Sequence, residues 1–262
     1  MMKKIDLKML GITAMVTGCV FAGSTSAFAE EKSYNSNAVI QFQPTGEGGG
    51  ETDPEKPIDP TDPTNPPVDP TDPTNPGGKP DPGTKGPLGI DFASSLRFGE
   101  QQITSTTKTY KVKPQEFTDR GPGPNYVQVT DNRGVGTGWI LTLTQDGQFK
   151  GKETGKVLTG AAISFKNGHV VTVSESGEPT PYGEFTLGFD GDGKGVAQNI
   201  MVAGDEEGAG TFAFVFGDNN TAAESITLEV PGSTTKYADN YSTKLIWTLK
   251  NVPTGNEGEG DE

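Results

Sequence analysis

His169 is the only histidine of this 262-residue chain, and it opens an alternating stretch with no cysteine or second histidine beside it. A zinc centre or a Ser-His-Asp triad needs such partners, so a lone strand histidine reads as structural. Neither a G-x-S-x-G elbow nor a phosphate-binding loop occurs. Carboxylate pairs for glycoside hydrolysis meet through folding rather than through spacing. Here, however, most Asp and Glu fall in glycine-rich stretches, which reads as solvated loops. Asp190-Gly-Asp192-Gly-Lys194-Gly195 has the alternating start of a calcium loop, but Lys194 takes the third ligand place and Met201 stands where a bidentate Glu is needed. An EF-hand is excluded, and an acidic turn is the better reading, as it is for Gly204-Asp-Glu-Glu-Gly208. The expectation is a chain that is not an enzyme and carries no metal or cofactor.

The other chemistry-bearing residues are the two tryptophans, each opening a Trp-x-Leu triplet: Trp139-Ile140-Leu141 and Trp247-Thr248-Leu249. In an extended strand, residues i and i+2 share a face, so each triplet sets an indole and a leucine on one side of a sheet. Tyr241, Thr243 and Leu245 extend the second face, opposite Ser242, Lys244, Ile246, Thr248 and Lys250. Indole faces bind sugar rings through C–H contacts, which makes Trp139, Leu141, Trp247, Leu249 and Tyr241 candidate ligand-binding residues. A Trp and a Leu on one strand face are equally what a sandwich core contains. If the triplets lie on adjacent strands, their faces merge into one apolar patch.

Short β segments separated by Gly, Asn, Asp and Pro position these residues. Leu88–Phe98, Thr109–Lys113, Tyr126–Thr130, Gly138–Thr144, Ala161–Phe165 and His169–Val173 read as strands, as do Glu184–Gly188, Thr211–Gly217, Ser225–Val230 and Lys244–Lys250. Turns are expected at Asp131–Gly134 and Gln145–Gly147, and Lys166-Asn-Gly168 predicts a hairpin. Thr221–Ser225 has the length of a single helical turn. The fold class that follows is all-β: an antiparallel sandwich or jelly-roll-like domain over residues 87–253.

Ahead of that domain, 13 of the 20 prolines lie between Pro44 and Pro87, and Asp59-Pro-Thr-Asp-Pro-Thr-Asn-Pro66 returns as Asp69-Pro-Thr-Asp-Pro-Thr-Asn-Pro76. Regular proline and few apolar side chains predict an extended, coreless, disordered spacer over residues 44–86. Residues 30–43 form a leader in which Asn37–Phe42 reads as a short strand pairing with the main domain. Residues 254–262 form an acidic tail.

Residues 1–29 read as an export signal, with Lys3, Lys4 and Lys8 before an apolar run and Ala27-Phe28-Ala29 as the cleavage site. Cys19, the only cysteine, loosely resembles a lipobox cysteine. Cleavage after Ala29 leaves no thiol and no disulfide. It also removes three lysines and one aspartate, taking the net charge from −14 to −16. Nucleic acid and other anionic polymers are therefore poor partners for simple electrostatic attraction.

Tyr241-x3-Leu245-Ile246-Trp247-Thr248-Leu249-x3-Pro253 resembles the C-terminal signature of the WxL cell-wall-binding domain, with Ile246 in place of its usual Thr. Val127–Gly134 followed by Gly138–Gln145 resembles the same family's first motif. Leader, weak strand, Asp-Pro-Thr segment and β domain follow the layout of its small members. The resemblance implies a secreted, non-catalytic protein attached non-covalently to peptidoglycan at the surface of low-GC Gram-positive bacteria. It further implies two partners, a membrane-anchored WxL-interacting protein and a larger WxL protein, and a link with host-matrix adhesion. Val252-Pro-Thr-Gly255 is not a sortase signal.

Overall fold

Alternating apolar and polar side chains build twelve strands in the computed structural model, which describes residues 39–42 and 55–252. They are β1 (Leu88–Ala93), β2 (Lys108–Lys111), β3 (Asn125–Asp131), β4 (Trp139–Gly151), β5 (Ala162–Phe165) and β6 (Gly168–Thr172), followed by β7 (Thr180–Pro181), β8 (Phe185–Thr186), β9 (Gln198–Ala203), β10 (Gly210–Phe216), β11 (Ile226–Val230) and β12 (Tyr241–Asn251). The expected turn at 221–225 is a 3-10 helix, Ala222–Glu224. The export signal, the rest of the leader and the acidic tail lie outside the described residues. Of the expected strand at 37–42, the described part, Val39–Phe42, carries no strand assignment, and Val39, Ile40 and Phe42 are exposed.

Three four-stranded antiparallel sheets result, ordered β1-β3-β10-β6, β2-β11-β5-β8 and β12-β4-β9-β7. This is an all-β, sandwich-like architecture, and the inner faces of the three sheets converge on one large core. That core takes Val127, Phe212 and Phe214 from the first sheet, Ile163, Phe165, Ile226 and Leu228 from the second, and Trp139, Leu141, Leu143 and Met201 from the third.

Lys166-Asn-Gly168 does not close a hairpin. β5 and β6 belong to different sheets, and the amides of Lys166 and Gly168 donate instead to the carbonyls of Ser225 (2.8 Å) and Gly183 (3.0 Å). Asn167 sits at φ 58°, so the Asn-Gly preference for left-handed backbone serves a corner between sheets. Gln145–Gly147 is likewise no terminating turn: β4 runs through it, and the pairing with β12 shifts register between Ser242 and Lys244.

Residues 55–86 do not stand off as a free spacer. Asp59, Asp62 and Asp72 each accept through Oδ1 both the amide and the hydroxyl of the threonine two residues on, at 2.6–3.1 Å. Three of the four Asp-Pro-Thr units thus close a local turn, while in the remaining one the Thr71 amide and hydroxyl donate to the Glu116 carbonyl at 2.8 and 3.1 Å and tie the chain to the domain. Ile58 and Val68 then pack with Phe92, Phe117, Tyr126, Ala213 and Val215 in a second apolar cluster on the outer face of the first sheet. This is why β3 is buried at all seven positions: the core covers one face and the repeats cover the other. Gln128, buried on that outer face, accepts from the Ile58 amide at 2.7 Å and donates to the Lys56 carbonyl at 3.2 Å and to Asp91 Oδ2 at 2.9 Å. Composition concealed this arrangement, because two aliphatic side chains suffice where the sheet supplies the rest of the apolar surface.

Candidate functional site

β4 and β12 pair over most of their lengths, so the two Trp-x-Leu triplets do lie on adjacent strands. Trp139 stands opposite Asn251, Leu141 opposite Leu249, and Leu143 opposite Trp247. Trp139, Leu141, Leu143, Trp247 and Leu249 point to the same side of the sheet, which is the core side.

The two triplets differ in depth. β4 is an inner strand, and Trp139, Leu141 and Leu143 are 0% exposed. Trp139 Nε1 donates to the Gly208 carbonyl at 2.9 Å, and its ring lies 6.3 Å from that of Phe212. Neither Trp139 nor Leu141 presents a surface to a ligand in this fold, so their expected ligand contact gives way to a core role. β12 is an edge strand, where Tyr241, Leu245, Trp247 and Leu249 are only partly buried against the same core. The Tyr241 hydroxyl accepts the Tyr237 amide at 3.0 Å, closing the turn that leads into β12.

Two glycines allow the close packing here, Gly138 against the backbone at residues 203–204 and Gly208 against the indole itself. Gly138 is at φ 65°, and a Cβ there would overlap the Ala203 carbonyl oxygen. Gly208 is at φ 75°, and a Cβ there would lie 2.6 Å from Trp139 Nε1. Gly208→Ala is therefore expected to cost about 2 kcal/mol, through left-handed backbone strain and loss of the indole hydrogen bond. Thermal unfolding monitored by circular dichroism would measure it, and an unchanged midpoint would refute the tight fit.

The polar residues of the two motifs form a clamp that the sequence reading did not assign. Arg133 donates through Nε and Nη2 to Asp131 at 2.9 and 2.6 Å, through Nη2 to the Gly138 carbonyl at 2.8 Å, and through Nη1 to Thr137 Oγ1 and to Asn251 Oδ1. One guanidinium thereby ties the end of β3, the entry to β4 and the end of β12. The signal was present in the sequence as Asp131-x-Arg133, whose partners in the second motif only folding reveals. Side-chain exposures of 12% for Arg133 and 5% for Asp131 make this a well-shielded bidentate pair.

Elsewhere, the Asp190 carboxylate accepts the amides of Asp192 and Lys194 at 3.0 and 2.8 Å, so the acidic loop is organised by its own backbone. The Glu207 carboxylate does the same for Gly204 at 2.8 Å. Among the described residues no cluster of three or more His, Cys, Asp or Glu is arranged to hold a metal ion. His169, exposed, has its Nδ1 3.2 Å from the Asn167 carbonyl. An open depression lies between the first repeat and residues 119–122, lined by Asp59, Thr61, Asn65 and Arg120 among others, and no residue of either Trp-x-Leu triplet borders it.

Among the described residues no helix is long and apolar enough to cross a membrane. No curated protein matches the chain, and no solved structure does. A family model does: that of the WxL domain, described as surface cell wall-binding, which matches residues 29–253. That span includes the Asp-Pro-Thr repeats, the Arg133 clamp and both Trp-x-Leu strands, and the chain belongs to the WxL family of surface cell wall-binding domains.

Proposed function

We propose that this chain is a non-catalytic, secreted surface protein that holds itself on peptidoglycan without a covalent link. The supporting observation is the wall-binding family match over residues 29–253, reinforced by the meeting of both family motifs in one β4–β12 pair. In this reading Trp139 and Leu141 brace the sheet from inside, while Tyr241, Trp247 and Leu249 fill the edge beside it. The family layout adds a membrane-anchored WxL-interacting protein and a larger WxL protein as partners at the surface of low-GC Gram-positive bacteria, with host-matrix adhesion as the role of the assembly.

A second reading has its own support. β12 is an 11-residue edge strand with no neighbour on its outer side among the described strands, and such an edge accepts a strand from another protein. The chain would then be a structural subunit held at the surface by its partner.

Co-sedimentation of residues 30–262 with peptidoglycan stripped of proteins and wall polymers separates the two. Pelleting with the wall is the expected result. A folded chain that stays in the supernatant would transfer the retention role to the partner protein.

A further inference from the structure

Ile140, Thr142 and Thr144 alternate along β4 with the buried Trp139, Leu141 and Leu143, so they point to the outer side of the sheet. The register aligns side chains across three strands there: Lys250, Ile140 and Val202 form one row, Thr248, Thr142 and Asn199 the next, and Ile246 with Thr144 a third, with Lys244 beside Asp146 at the end. Ile140, Val202 and Ile246 belong to neither apolar cluster, and Ile246 is 45% exposed. The result is a platform of interleaved threonine and aliphatic side chains with the pleat and spacing of a sheet.

The charge on this platform differs from that of the chain. The whole chain carries −14, yet the platform presents Lys244 and Lys250, with Lys150 opposite Ser242, against the single carboxylate Asp146. The other outer faces are unlike it. That of the first sheet is covered by the repeats. That of the second offers Thr109, Lys111, Ser164, Thr227 and Glu229 with no large aliphatic group, and its Lys111 is tied to Glu224 at 2.5 Å.

We propose that the outer face of the β12-β4-β9 sheet is the surface that lies on the wall, with peptidoglycan as its occupant. The proposal rests on the wall-binding reading above. The C–H faces of the amino-sugar rings would seat on Ile140, Val202 and Ile246. The hydroxyls of Thr144 and Thr248 and the amide of Asn199 would hydrogen-bond the sugar hydroxyl and N-acetyl groups, while the Thr142 hydroxyl, which donates to the Thr248 carbonyl at 3.3 Å, would accept from them. Lys244 and Lys250 would meet the carboxylates of the stem peptides. The sheet needs no cleft for this, since an extended polymer can lie along it, and an acidic protein approaches an anionic polymer best with its lysine-bearing face. The Trp-x-Leu triplets then act at one remove: each turns its first and third residues toward the core, fully buried in β4 and partly buried in β12, and turns the middle one, Ile140 or Thr248, toward the wall.

The test is co-sedimentation of residues 30–262 with purified peptidoglycan at two salt concentrations. Thr142→Glu/Ile246→Glu, at outward-facing positions, is expected to weaken binding at least tenfold while the circular dichroism spectrum and melting midpoint stay close to native. Lys244→Ser/Lys250→Ser, a milder pair at exposed positions, is expected to weaken binding several-fold and to flatten its salt dependence. Thr109→Glu on the second sheet should bind as the native chain does. Native binding with both face variants within twofold of it overturns the platform and leaves wall binding standing. Failure of the native chain to sediment overturns the wall-binding reading and the platform together.

Discussion

Trp139→Ala is expected to lower the stability of the domain by about 4 kcal/mol, the upper range for truncating a large buried aromatic. The indole is fully enclosed, stands on an inner strand, and satisfies the Gly208 carbonyl, so its removal leaves both a void and an orphaned acceptor. Trp247→Ala should cost about half as much, because its ring sits on the edge strand and is already partly hydrated. Trp139→Phe should cost less than Trp139→Ala, since it keeps a six-membered aromatic ring but loses the donor and the volume of the five-membered ring, at about 2 kcal/mol. Urea unfolding followed by far-ultraviolet circular dichroism reads all three without relying on tryptophan fluorescence. A cost below 1 kcal/mol for Trp139→Ala would mean that the indole does not brace the sheet. A folded Trp139→Phe chain should still bind wall material, because nothing on that ring reaches solvent.

The parts of the fold that were legible in the sequence are those where one strand face is buried and the other is wet. The alternation of β12 from Tyr241 to Leu249 gave its inward face correctly, and the Trp-x-Leu spacing placed both triplets on one side of a shared pair. β9 was not foreseen, for a physical reason. A bulge opposite Leu141 and Thr142 lets the consecutive Ile200 and Met201 both be buried, which erases the two-residue period. Lys166-Asn-Gly168 reads as a hairpin; Asn167 does take the left-handed backbone that such turns favour, but local sequence does not say whether the corner returns to the same sheet or, as here, crosses to another.

The face that the two triplets share was legible, and the depth of each was not. Spacing tells which side chains share a face, and it cannot tell an inner strand from an edge strand. Trp139 and Trp247, alike in motif, therefore end in different environments. The Arg133 clamp depends on Asn251, 118 residues away, and the docking of the repeats depends on Gln128, some 70 residues from the backbone groups it meets. Such long-range polar pairs leave no periodic trace.

The docked repeats carry the second large expectation. Asp59, 5% exposed, pairs with Arg120, whose guanidinium also lies 5.4 Å from the centre of the Phe117 ring. Burial alone would raise the Asp59 pKa, but Arg120 and hydrogen bonds from Thr61 and Asn65 outweigh it and hold the group at about 2, against an ordinary value of 3.8. Arg120→Ala would leave a buried carboxylate with only neutral partners, at an expected cost of about 3 kcal/mol. The loss should be felt first in the repeats, where amide exchange at Val68 and Thr71, now bonded to the carbonyls of Pro57 and Glu116, would accelerate. Acid should act on the same contact. Because the folded-state value of Asp59 is depressed, its contribution, about 2 kcal/mol, is complete above pH 4 and is lost as the pH falls toward 2. Asp72 is displaced in the same direction, its burial outweighed by Ser95, Thr74 and Arg97, and adds to that loss. Asp91 opposes it, because burial raises its pKa and its protonation on acidification favours the folded state. Hydrogen exchange corrected for intrinsic rates should therefore show the repeats loosening between pH 4 and 2 in the native chain, with a shallower change in Arg120→Ala. Protection at Val68 that is indifferent to both acid and the substitution would show that the apolar contacts of Ile58 and Val68 hold the repeats without the ion pair.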